Sequence, residues 1–95
     1  MTLEIKSTSI PEDQVKDAVV GALKNRINEI DLKLDDLNQN LEYFQRKYHL
    51  KSEDFYRQFT EGKHDDEMDF FEWKASWEIQ QELKKEKLAL LEALR

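Results

Sequence analysis

The chain has 95 residues, 38% of them charged, with a formal net charge of −6 and no cysteine. That length allows one domain with a marginal core, because so short a chain buries only about 60% of its unfolded surface. Disulfides and thiolate metal sites are excluded, and the acidic balance argues against a nucleic-acid binder, which would carry a basic face.

The longest apolar runs, Ala18-Val19-Val20 and Leu88-Ala89-Leu90-Leu91, fall far short of the roughly 20 residues of a membrane span, so no membrane association is expected. Residues 1–11 lack a basic start followed by an apolar run, so no signal peptide is expected, and the absence of cysteine suits the cytoplasm. One Pro, two Gly and abundant Leu, Glu and Lys make a helical composition.

Residues 1–8 read as a flexible tail or short strand, with Leu3 and Ile5 alternating with Glu4 and Lys6. A single helical domain is expected over 9–95. Ser9 with Glu12 forms a capping box, Pro11 is tolerated in the first turn, and no further proline follows, so helix 1 is predicted to run to about Leu50.

Helix 1 carries the strongest pattern. Val20, Ile27, Leu34, Leu41 and Tyr48 fall seven apart, and Leu23, Ile30, Leu37 and Phe44 fall seven apart, three residues after the first set. That 3-4 alternation is a coiled-coil seam facing one neighbour, and it is expected to carry self-association.

Ser52 reads as a second N-cap, with Glu53 and Asp54 in the first turn of a short helix 2 that ends at Gly62. Helix 3 is expected to start at Asp65 or Asp66 and to run unbroken to Arg95. Its apolar residues spread over two sides, which implies two neighbours.

A helix of about 40 residues is about 60 Å long, longer than a compact domain of this size. The predicted fold is therefore all-α: an elongated helical hairpin with long helix 1, short helix 2 at the bend and long helix 3. Two hairpins pairing as a homodimer would make a four-helix bundle and cover both stripes.

All ten aromatics lie between Tyr43 and Trp77 and gather at the bend in this scheme. They are expected to form a small core, and any left exposed to serve as contact points for a partner. Glu61, Asp65, Asp66, Glu67, Asp69 and Glu72 face only Lys63 in charge over the same stretch. They suit a helix N-terminus, a patch for a basic partner, or a metal site with His64, although no ligand spacing matches a known loop. Asp65, Asp66, Glu67, Asp69, Phe70, Phe71, Trp73 and Trp77 form the candidate partner surface. His49 stands near a helix end and His64 is followed by Asp65, but a lone His-Asp pair does not make a catalytic site, and phosphate-binding and zinc-protease motifs are absent. No enzyme activity, metal or cofactor is expected.

Ser-Glu-Asp-Phe-Tyr at 52–56, Gly62, and Asp66-Glu67-Met68-Asp69-Phe70-Phe71-Glu72-Trp73 resemble a stretch in small all-helical prokaryotic proteins encoded beside a putative toxin. The likeness covers about a third of the chain. It implies an antitoxin-like inhibitor that masks a small, basic, ribonuclease-like toxin, and the negative net charge has the right sign. A homo-oligomeric coiled-coil scaffold is the alternative. A DNA-binding regulator ranks below both, because the heptads run unbroken where a ribbon-helix-helix turn would be needed.

Overall fold

The computed structural model describes residues 10–95, so the expected tail and the Ser9 cap lie outside the described residues. Three α-helices follow one another: α1 (Glu12–Tyr48), α2 (Ser52–Thr60) and α3 (Met68–Ala93). α1 and α3 form an antiparallel hairpin measuring 60 × 23 × 22 Å, and α2 closes the bend.

The helix boundaries follow from local chemistry. The Pro11 carbonyl accepts the first helical bonds, from Gln14 and Val15. α1 stops where His49 turns into the left-handed region (φ 52°) and the Leu50 amide returns to the Gln45 carbonyl. α2 ends in a Schellman closure: Gly62 adopts φ 76°, its amide bonds the Phe59 carbonyl, and the Lys63 amide bonds that of Gln58.

Three starts differ from the sequence expectation. Pro11 flanks α1, which begins at Glu12, and does not sit in its first turn. Ser52 is the first residue of α2 and not its cap; Lys51 flanks the helix, and the Ser52 side chain points inward. α3 begins at Met68, two to three residues later than Asp65 or Asp66, because residues 63–67 carry the chain across the end of the hairpin. Glu67 flanks α3 in an extended conformation with no side-chain cap.

α3 of the same chain covers most of the heptad seam. Ile30, Leu41 and Phe44 are buried, Leu23, Ile27, Leu34, Leu37 and Tyr48 are half-buried, and only Val20 is exposed. The seam expected to carry self-association is thus largely occupied within one hairpin. Its 3-4 spacing fits this packing equally well, since the stripe needs an antiparallel helix and not a second molecule.

The interior has two parts. At the bend, Leu41, Phe44, Phe55, Phe70 and Trp73 form the core, with Tyr48, Leu50, Phe59 and Trp77 packed around it. Trp73 is fully buried and stacks on Phe55 at 3.8 Å between ring centroids. Its indole N–H donates to the buried Ser52 Oγ at 2.9 Å, and the Ser52 amide donates to Gln45 Oε1 at 2.9 Å.

Further along the hairpin comes a polar layer. Asn40 Nδ2 donates to Ser76 Oγ at 2.7 Å, and Gln80 Nε2 donates to Asn38 Oδ1. Beyond it the shaft is held by Ile30 and Leu83, with Arg26–Glu86 and Lys87–Asp31 ion pairs on its edges.

Candidate interaction surface

The structure divides the residues of the expected partner surface. Trp73 and Phe70 belong to the interior, and Trp77 packs against it beneath Tyr56. Phe70 and Trp73 are buried and not available to a partner, whereas Trp77 is half-buried and lines an opening with Tyr56, Glu78 and Gln81. The expectation that Phe70 and Trp73 line a docking surface is corrected: a bend of three helices needs large rings to fill it, and they are rings that fit.

Asp69 is committed inside the chain. It accepts hydrogen bonds from Lys47 Nζ at 2.6 Å and from the Tyr48 hydroxyl. Those bonds, first from Lys47 and then from Tyr48, hold its carboxyl below the usual aspartate value, and Lys47 and Tyr48 are correspondingly pushed up. This cross-link ties the first turn of α3 to the last turn of α1. His64 lies over the core, 5.1 Å from both Phe55 and Phe70 between ring centroids, and its Nε2 meets Gln58 Oε1 at 2.9 Å. Among the described residues no three His, Asp or Glu side chains gather as a metal site would require.

Asp65, Asp66 and Glu67 are exposed at the tip, with Glu72 on the adjoining turn of α3. Two apolar side chains stand among them. Met68 is 85% exposed, and Phe71 is 48% exposed with its edge against Phe59 at 5.8 Å. Phe71 was legible from sequence. Met68 was not, because helical spacing alone does not say which face of the first turn is free.

The shaft holds two further apolar openings. One groove is lined by Leu37, Ile79 and Leu83 with Lys33 and Asp36, and the other by Leu34, Leu88 and Leu91 with Lys84 and Lys87. Leu88 is 67% exposed. No helix is long and apolar enough to cross a membrane among the described residues. Comparison with protein-family models, curated proteins and solved structures finds no match.

Proposed function

We propose that the protein is a non-catalytic binding module whose hairpin tip docks on a small basic protein partner, in the manner of an antitoxin-like inhibitor. The observation that carries this reading is the pair Met68 and Phe71, left exposed amid Asp65, Asp66, Glu67 and Glu72, beside a core that takes in Phe44, Phe55, Phe70 and Trp73. Acids around an apolar anchor supply steering and desolvated contact together. The resemblance at 52–73 supports the toxin as the class of partner.

The test is co-expression with the product of the adjacent gene, pull-down at high salt, and a growth assay. A stoichiometric complex that rescues growth is expected. Asp66→Lys with Glu67→Lys, and separately Phe71→Ser, should each abolish capture while leaving the far-UV circular dichroism of the helices unchanged. Undiminished capture by both variants would refute the tip as the contact.

A homo-oligomeric scaffold is the second reading, favoured by the open apolar face of the shaft.

A further inference from the structure

The chain crosses from α2 to α3 along residues 63–67. The Lys63 amide belongs to the closure of α2, through the Gln58 carbonyl, and the first amide bonds of α3 run from Phe70 and Phe71 to the Glu67 carbonyl. Between these two anchors, the amides of His64, Asp65, Asp66 and Glu67 donate to no backbone carbonyl among the described residues. The side chains of Asp65, Asp66 and Glu67 are exposed and, among the described residues, make no hydrogen bond or ion pair. Lys63 pairs with Glu61 and Lys47 with Asp69, so neither base neutralises the three acids.

His64 is the exception in this crossing. Its ring is half-buried, 5.1 Å between centroids from Phe55 of α2 and 5.1 Å from Phe70 of α3. Its Nε2 meets Gln58 Oε1 at 2.9 Å. One side chain therefore reaches both helices and covers the aromatic core where the chain passes over it. Phe55 is fully buried and Phe70 is 9% exposed with the ring in place. Lifting the ring would wet both, so apolar burial favours the seated state. Three consecutive like charges oppose it, since they repel one another and favour full hydration.

We propose that residues 63–67 form a strap pinned by His64, and that this pin sets where Asp65, Asp66 and Glu67 stand relative to Met68 and Phe71. His64 is a positioning residue that acts through the acids it places. The effect on capture rests on the reading of the tip as the partner contact; the pin itself does not. Without the pin, the strap would be ordered only at the moment of docking, and the lost entropy would be subtracted from the affinity. By reciprocity, a basic partner that gathers these acids tightens the strap.

Nitrogen-15 relaxation on the full chain reads the strap with no partner present. In the parent, backbone order parameters at Asp65, Asp66 and Glu67 should stand near those of the helices, at about 0.85, and in His64→Ala they should fall below about 0.6. Values in α1 and α3 should stay unchanged. His64→Phe keeps a ring over Phe55 and Phe70 and should keep the order. Capture of the adjacent gene's product should weaken at least roughly 10-fold in His64→Ala and recover in His64→Phe. Low order parameters in the parent would overturn the pin whatever the stability of the variants, and so would unchanged values in a folded His64→Ala. A loosened strap with undiminished capture would overturn the positioning role. If the parent captures nothing, the reading of the tip fails, and the relaxation result still decides the pin.

Discussion

Ser52→Ala is the most direct probe of how the bend is held. Ser52 is 2% exposed, and its hydroxyl accepts the indole N–H of Trp73, which is fully buried. Removing that oxygen leaves the N–H with no partner and no water, at a cost of about 1–3 kcal/mol. Ala is the better helix former by a few tenths of a kcal/mol at most, which offsets little. The net loss should be about 1.5–2 kcal/mol. At about 4–8 °C per kcal/mol for a domain of this size, the thermal midpoint falls by roughly 10 °C. Urea and thermal unfolding followed by circular dichroism at fixed protein concentration would measure it. Thr60→Ala is the control: its exposed hydroxyl donates to the Arg57 carbonyl, and its loss should shift stability by less than about 0.5 kcal/mol. If Ser52→Ala costs no more than Thr60→Ala, the hydrogen bond does not hold the bend and the reasoning is wrong.

Two more outcomes are expected. His49→Gly should raise stability by about 0.5–1 kcal/mol in urea titration, because glycine adopts the left-handed conformation at φ 52° without the Cβ clash of an L residue; His49→Val should lower it. Stability should also fall in acid. Arg26 holds Glu86, and Lys47 with Tyr48 holds Asp69, below their ordinary values of 4.5 and 3.8, so the folded chain binds fewer protons than the unfolded one. Their contribution is complete above those ordinary values and is lost as pH falls through the lowered ones. Urea midpoints measured from pH 7 to 3 should drop, and Asp69→Asn with Glu86→Gln should flatten the acid limb.

The fold class was legible in the sequence because the apolar pattern of α1 repeats over four heptads, from Val20 to Tyr48, and Gly62 marks a stop that few other residues could make. The limits of legibility were also physical. A stripe of Val20, Ile27, Leu34 and Leu41 has the same spacing whether it faces its own chain or another, so the pattern could not say that α3 would cover it. Ser at the start of a helix reads as a cap, yet at Ser52 the hydroxyl serves Trp73, which lies 21 residues away in sequence. Phe70 and Trp73 were grouped with Phe71 by proximity in the chain, whereas the helix turns them to different surroundings.

The polar layer of Asn38, Asn40, Ser76 and Gln80 interrupts the hydrophobic continuity of the hairpin. Cooperativity depends on apolar contact passing from one turn to the next, so this break should divide the molecule into two units of unequal protection. Amide hydrogens of α1 beyond Leu41 and of α3 before Ser76 should exchange only with global unfolding, as they lie on the aromatic end. Those around Leu23 and Leu90 should exchange through a cheaper local opening, in which the two arms of the shaft part while the bend stays closed. The hairpin then behaves as a clamp with a fixed pivot, and whatever binds between or along its arms would slow the exchange there first.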